Sequence, residues 1–253
     1  MFNLHTHTYR CHHASGKDEE YVIKAIENGY STIGFSDHAP YLFPNGYVSS
    51  FRMLPNEAEG YAKSINSLKE KYKGKIDIKL GFELEYYPAL FKKEIEFLKT
   101  FNYDYLILGQ HYVDNEYEDY AIYSDSPTKS TAVLDKYISQ VILGAKSGYY
   151  TYVAHPDLIN FKGDSELYIK KMTYMITELK KIGIPLEFNF LGFTAKRNYP
   201  NLDFWKIVSK VGNDVVIGLD AHSPSVYDDK ENLQKAKQIL QNLNITPLDK
   251  IEL

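Results

Sequence analysis

Seven short apolar runs alternate with seven longer amphipathic runs along the chain. Residues 106–108 and 215–217 carry no polar side chain, which is typical of strands covered on both faces. This alternation predicts a parallel sheet, closed or nearly closed by crossover helices. We predict strands at 2–4, 32–35, 76–81, 105–109, 152–154, 185–188 and 215–219.

The amphipathic runs have the end signals of helices, with acids or proline at several starts and glycine at several ends. The predicted helices span residues 18–28, 55–72, 89–100, 130–147, 165–182, 202–211 and 228–242. Two stretches without periodicity, 39–54 and 112–129, each follow a strand and are predicted to be active-site loops. No glycine-rich phosphate or dinucleotide loop follows a strand. We expect residues 1–253 to form one domain.

Composition excludes several classes of function. The formal net charge is -4 and no block of like charge occurs, which argues against nucleic-acid binding and a polybasic membrane anchor. No apolar run approaches the roughly 18 residues of a membrane span. The N-terminus lacks the basic and apolar regions of a signal peptide. The single cysteine, Cys11, excludes an internal disulfide, so we expect a cytoplasmic protein without membrane or nucleic-acid partners.

The histidines are distributed in an unusual way. None lies in a predicted helix, and each follows a predicted strand directly or within the next loop. They are His5, His7, His12, His13, His38, His111, His155 and His222. Because the loops after the strands form the catalytic face of a (β/α) barrel, we expect these side chains to converge at one end of the fold.

The spacing of these residues indicates metal binding. His5 and His7 lie two residues apart, so that both imidazoles point the same way on an extended strand end. Asp220 and His222 repeat the spacing, and Glu83 follows another strand. Imidazole and carboxylate donors together suit zinc, iron or manganese. One catalytic metal uses about three protein ligands, so the number of donors predicts two or three metals.

A metal cluster of this kind can lower the pKa of a bridging hydroxide and hold the oxygens of a phosphoryl group. It also supplies positive charge where an in-line displacement needs it. The sequence therefore indicates a phosphoester hydrolase.

Six segments resemble motifs of the polymerase and histidinol phosphatase (PHP) family, and they extend over almost the whole chain. They lie at residues 5–14, 34–40, 81–83, 103–111, 154–157 and 218–222. The stretches Cys-His-His-Ala-Ser-Gly and Ser-Asp-His-Ala-Pro are similar to the histidinol-phosphate phosphatase branch. The resemblance implies an α/β fold, a distorted (β/α)7 TIM-like barrel, with a trinuclear metal site at the C-terminal ends of the strands.

The resemblance also implies three ligand sets for two or three divalent ions of zinc, iron or manganese. The first set is His5, His7, Glu83 and Asp220; the second shares Glu83 with His111 and His155; the third is His13, His38 and His222. His13 is preferred to His12 because its offset from His5 matches the family pattern.

Other residues are expected to assist the reaction. Asp37 and Glu83 are the predicted catalytic residues, with Asp37 either orienting a histidine or moving a proton. Arg197 and Arg52 are predicted to contact phosphate, because a guanidinium suits phosphate bidentately. His12 either touches the substrate or simply lies in its loop.

The resemblance implies hydrolysis of L-histidinol phosphate to L-histidinol and phosphate, a step of histidine biosynthesis, through a metal-bridging hydroxide. One alternative is another substrate for the same chemistry, such as a different small phosphate ester, a phosphotyrosine protein or an oligonucleotide end. A nuclease should show a basic groove, and the sequence has no basic cluster. A non-enzymatic metal-binding barrel is disfavoured because every expected ligand is present. The oligomeric state stays open.

Overall fold

The computed structural model describes residues 1–253, and seven parallel strands form its central sheet. The strands are β1 (Phe2–Asn3), β2 (Thr32–His38), β3 (Asp77–Glu83), β4 (Tyr105–Leu108), β7 (Tyr152–Val153), β8 (Leu186–Asn189) and β9 (Val215–Gly218). They lie side by side in chain order, so each crossover joins neighbours. Beyond β1 and β9, Thr6 and Ala221 form a parallel bridge that brings the two edges together. The predicted nearly closed (β/α)7 barrel is therefore confirmed.

The crossovers contain all the α-helices except the last one, which follows the last strand. These are α1 (Asp18–Glu27), α2 (Ala58–Lys71), α3 (Phe91–Lys99), α4 (Thr131–Lys146), α5 (Ser165–Ile182), α6 (Phe190–Thr194), α7 (Leu202–Val211) and α8 (Lys230–Asn242). Short 3-10 helices cover Tyr9–Cys11, Pro55–Glu57 and Pro224–Asp228. The side chains of Ser130, Asp164 and Asn201 cap α4, α5 and α7, which satisfies backbone N–H groups that have no partner within the helix. No helix is both long and apolar enough to cross a membrane.

Strands β2 and β3 extend further than the sequence predicted. They pair residue by residue from Thr32 and Asp77 to His38 and Glu83. The predicted strands ended at residues 35 and 81. The polar run Ser-Asp-His at 36–38 follows the first of these ends and is typical of a loop. These polar side chains are buried at the barrel end instead, and the extra pairing places His38 directly beside Glu83.

The predicted loop 112–129 is also more ordered than expected. It contains the antiparallel hairpin of β5 (Tyr112–Val113) and β6 (Ile122–Tyr123). Helix α6 was likewise not predicted; it begins where Asn189 accepts a hydrogen bond from the Gly192 N–H. Both elements follow a barrel strand and border the same end of the fold.

Two apolar layers surround the sheet. The larger one fills the space between strands and helices, and the smaller one fills the barrel interior. The inner layer consists of Leu4, Tyr105, Ile107, Tyr152, Ala154 and Val216. The Tyr105 hydroxyl donates to the Leu4 carbonyl at 2.7 Å, which satisfies the polar atom of the Tyr105 side chain. The interior is therefore a packed core, and polar chemistry is confined to the strand ends.

Glu94 is a buried acid of α3 outside the histidine region. One carboxyl oxygen accepts from the Leu42 N–H at 3.0 Å, and the other has no partner. Burial raises the pKa of Glu94 from 4.5 to about 8. Between these pH values the folded protein binds more protons than the unfolded chain, so stability falls as pH rises through this window.

The variant Glu94→Gln removes this titration and keeps an acceptor for Leu42. In the wild type we expect this group to lower the free energy of unfolding by at most about 1.4 kcal/mol per pH unit. The variant should not show this decline. Urea titrations of both proteins at about pH 5, 6.5 and 8 measure it. Glu96→Gln, on the exposed face of α3, is the control and should keep the decline. Parallel pH profiles for wild type and Glu94→Gln would contradict the expectation.

Candidate metal centre

The structure brings together all nine residues that the sequence predicted as metal ligands. They are His5, His7, His13, His38, Glu83, His111, His155, Asp220 and His222, at the C-terminal ends of six different strands. The centroids of neighbouring imidazole rings lie 4.1 to 6.4 Å apart. Histidines that are up to 217 residues apart in sequence therefore form one cluster.

Glu83 lies in the middle of this cluster. Its Oε1 is 2.8 Å from His155 Nε2 and 3.5 Å from His111 Nε2. Its Oε2 is 3.1 Å from His38 Nδ1 and 3.4 Å from His7 Nε2. The two oxygens thus face two different groups of imidazoles, which is the arrangement of a bridging carboxylate.

The remaining donors also converge in small groups. The Nε2 atoms of His5 and His7 are 3.2 Å apart, and Asp220 Oδ1 lies 3.1 Å from His7 Nε2. At the outer edge, the Nε2 atoms of His13 and His222 are 2.9 Å apart. Nitrogen and oxygen lone pairs that point at common positions in this way are typical of ligands around a cation.

The balance of charge in the cluster also indicates a cation site. Four buried carboxylates form ion pairs with histidines alone, and none contacts a lysine or arginine. They are Asp37, Glu83, Glu187 and Asp220. Buried carboxylates are costly unless positive charge compensates them. Glu83 Oε2 and His38 Nδ1 are also buried without a hydrogen-bond partner. The donor set therefore fits divalent transition metals.

The electrostatic field of the cluster favours ionised carboxylates. Burial alone raises the pKa of Glu83, but the imidazoles of His111, His5 and His38 outweigh it and hold that pKa well below its usual value. The pKa of Asp220 is lowered in the same way, against burial, by His5 and neighbouring histidines. Both side chains are therefore present as anionic donors.

A second layer of carboxylates lies behind the histidines. The contacts are His5 Nδ1 to Glu187 Oε2 at 2.7 Å, His111 Nδ1 to Glu85 Oε1 at 2.8 Å, and His7 Nδ1 to Asp37 Oδ1 at 3.3 Å. Each contact makes Nδ1 the donor and leaves Nε2 free to face the centre. The sequence analysis did not identify Glu187. The signal was an acid among the apolar residues of the predicted strand 185–188.

Of the two roles left open for Asp37, the structure favours orientation. Its Oδ1 also accepts from the His38 N–H at 2.9 Å, and its Oδ2 accepts from the Thr8 hydroxyl. Asp37 is fully buried and does not line the cavity above the cluster. The structure therefore places Asp37 behind His7 and away from the cavity wall.

A cavity of about 530 Å³ opens above the histidines. Its wall includes Ser50, Phe51, Tyr112, Tyr123, Leu191, Arg197 and Tyr199. Arg197 Nη1 donates to the Tyr199 hydroxyl at 2.9 Å, and this is the only side-chain hydrogen bond of its guanidinium. Arg197, the predicted phosphate contact, thus lies where a small molecule bound above the histidines can reach it.

The other two predicted substrate contacts lie elsewhere. His12 is exposed and outside the cavity wall, because the backbone turns there through a left-handed conformation with φ of 68°. Arg52 is only 2% exposed, and all its N–H groups donate to Glu85, Glu116 and the Ala39 carbonyl. A guanidinium with no free donor cannot bind phosphate, so the structure argues against this predicted contact.

Comparison with known proteins gives consistent matches. The PHP domain family model matches residues 3–191. A probable histidinol-phosphatase from Deinococcus radiodurans is 28% identical over 239 residues, which is 88% of this chain and 87% of that protein. A probable histidinol-phosphatase from Schizosaccharomyces pombe is 25% identical over 280 residues, with coverage of 98% and 88%.

Solved structures share the fold. The histidinol phosphate phosphatase of Lactococcus lactis, determined with zinc, L-histidinol and phosphate, superposes with a TM-score of 0.76 at 20% identity. The match covers 99% of this chain and 96% of that one. A putative histidinol phosphatase from Listeria monocytogenes has a TM-score of 0.72 at 21% identity, with coverage of 92% and 99%.

Glycines make room for two of the acids, and one of them provides a test. A Cβ atom at Gly109 would lie 1.9 Å from Glu83 Oε1, and one at Gly218 would lie 1.9 Å from Glu187 Oε2. We expect Gly109→Ala to displace the Glu83 carboxylate and weaken metal retention at least about tenfold. Zinc per chain after dialysis measures this effect.

Gly60→Ala is the matched control, because a Cβ there meets nothing within 4 Å. It should retain zinc like the wild type and gain slightly in helix stability. Full zinc retention by Gly109→Ala would show that the Glu83 position is not critical.

Proposed function

The chain belongs to the PHP domain family, and on this premise we propose that it is a metal-dependent phosphomonoesterase that hydrolyses L-histidinol phosphate to L-histidinol and phosphate. The observation that carries the proposal is the convergence of nine histidine and carboxylate donors beneath a cavity that contains one available guanidinium. The relatives that span most of the chain are named for this activity.

We propose three metal positions for zinc, iron or manganese. His5, His7, Glu83 and Asp220 would hold the first, Glu83, His111 and His155 would hold the second, and His13, His38 and His222 would hold the third. When bound, divalent ions supply positive charge to the phosphoryl oxygens and make a nearby water molecule more acidic. The chain itself fixes the donors, through the carboxylates behind His5, His7 and His111.

Arg197 would bind the phosphate, because its guanidinium lines the same cavity as the histidines. Tyr199 accepts one N–H of its guanidinium at 2.9 Å, which leaves the other N–H groups available for two parallel hydrogen bonds to phosphate oxygens. This contact neutralises charge that grows on the phosphoryl group during the displacement. Arg197 also keeps its charge throughout the pH range of the enzyme.

An aromatic wall of the cavity fits a flat ring in the leaving group. Phe51 and Tyr112 have ring centroids 5.9 Å apart, and Tyr112 and Tyr123 have centroids 5.5 Å apart. All three line the cavity. The imidazole of histidinol is a flat ring of the size that packs against such a surface.

The function is tested by phosphate release from metal-loaded protein. We expect kcat/KM for L-histidinol phosphate to exceed that for p-nitrophenyl phosphate by about 100-fold or more, equivalent to ~2.7 kcal/mol in the transition state. Chelation should abolish both activities, and added zinc, iron or manganese should restore them. Equal, low values for both substrates would leave the metal chemistry in place and overturn the assignment of the substrate.

A second prediction concerns Arg197. Arg197→Met should lower kcat/KM about 10- to 100-fold for both substrates, because their common phosphate loses a charge-assisted contact. Arg197→Lys should recover only part of the loss, since one ammonium cannot make two parallel hydrogen bonds. Lys210→Met removes an exposed charge on α7 and serves as the control. Unchanged kinetics for Arg197→Met would exclude the contact.

A further inference from the structure

Arg52, which the proposed reaction does not use, lies at the centre of a buried ion network. Its Nε donates to Glu116 Oε2 at 3.0 Å, and its Nη1 donates to Glu85 Oε2 at 3.0 Å and to the Ala39 carbonyl at 3.2 Å. Its Nη2 donates to Glu85 Oε1 at 2.9 Å and to Glu116 Oε2. All five N–H groups of the guanidinium are thereby satisfied.

These partners come from three separate segments of the catalytic face. Arg52 belongs to the loop between β2 and α2, Glu85 lies two residues beyond β3, and Glu116 lies in the turn of the β5–β6 hairpin. One side chain thus connects the segments that follow three neighbouring strands. We call Arg52, Glu85 and Glu116 the Arg52 latch.

The latch reaches the metal centre on one side. Glu85 Oε1, which accepts from Arg52, also accepts from His111 Nδ1 at 2.8 Å. The orientation of the His111 ring therefore depends on a carboxylate that is itself held by Arg52. A ligand held in this way loses less conformational freedom when it binds a metal.

The latch reaches the substrate cavity on the other side. The Arg52 guanidinium carbon lies 4.5 Å from the centroid of the Phe51 ring. The same ring also lies near the imidazoles of His38 and His111, with centroids at 5.0 and 5.7 Å. Phe51 therefore packs near both the latch and the predicted metal ligands, and it forms part of the cavity wall.

We propose that Arg52 is a positioning residue that fixes His111 for metal binding through Glu85 and fixes the aromatic cavity wall through Phe51 and Glu116. The planar, five-donor guanidinium is essential for this role, because a lysine ammonium offers three donors from a single nitrogen. The cavity-wall part rests on the proposed function, and the metal part does not.

The experiment uses Arg52→Lys, Arg52→Met and Glu116→Ala in the full-length protein. Zinc affinity is measured without substrate, and kcat and KM are measured with L-histidinol phosphate on zinc-saturated protein. Thermal midpoints of all proteins are compared. Leu179→Ala, a buried change on α5, controls for loss of stability alone and should leave zinc affinity, kcat and KM at wild-type values.

The two arms of the latch should separate. We expect Arg52→Lys and Arg52→Met to weaken the least tightly held zinc about 10- to 100-fold. Glu116→Ala leaves the Arg52–Glu85–His111 contacts in place, so we expect wild-type zinc affinity and a KM that rises about tenfold. If Arg52→Met fails to fold, Arg52→Lys and Glu116→Ala still decide the outcome.

The proposal is overturned if Arg52→Lys and Glu116→Ala lower the thermal midpoint but, like Leu179→Ala, keep wild-type zinc affinity and KM. A wild-type protein that binds zinc but does not hydrolyse L-histidinol phosphate would instead overturn the proposed function. In that case the zinc measurements on Arg52→Lys still test the metal part of the latch.

Discussion

The burial of one carboxylate among imidazoles governs this structure. Glu83 is 1% exposed and ion-pairs only with histidines, so its charge requires compensation from the cluster itself. The register of β2 against β3 brings His38 alongside it, and Gly109 leaves the space that its Oε1 occupies. The Glu83 carboxylate thus depends on the pairing of β2 with β3, on the space left by Gly109 and on the surrounding histidines.

The carboxylates behind the cluster extend this dependence to the barrel. Glu187 lies in β8, Asp37 lies in β2, and Glu85 follows β3, so the imidazoles are aligned from several strands at once. Below them the barrel interior is filled by apolar side chains. The polar groups are therefore confined to the strand ends, where they contact one another. The histidine and carboxylate donors are therefore held by hydrogen bonds and lie above a packed apolar core. A metal site needs ligands that are held in position in this way.

Arg52 and Arg197 have different roles, and the difference lies in how many of their N–H groups are already bonded within the protein. Both follow a barrel strand, and the sequence predicted the same phosphate contact for each. Arg197 makes one side-chain hydrogen bond, to Tyr199, and keeps donors available. Every N–H group of the Arg52 guanidinium donates to a protein acceptor, chiefly to two glutamates. Arg52 therefore holds neighbouring residues of the site in position. No sequence pattern distinguishes these cases, because the acids that surround Arg52 come from other segments.

The sequence by itself indicated a nearly closed parallel sheet with the histidines gathered at its strand ends, because alternating apolar and amphipathic runs favour crossover topology. The selection of nine predicted donors came from the resemblance to the family. Only the tertiary structure decided how far β2 extends and which groups stand behind the donors. The polar run that ends β2 at His38 is typical of a loop until its burial is known. The acid at Glu187 stands out in its apolar surroundings, but the sequence does not reveal its role, which arises from a 2.7 Å contact with His5, 182 residues away. Long-range contacts of this kind depend on packing, which local propensities do not encode.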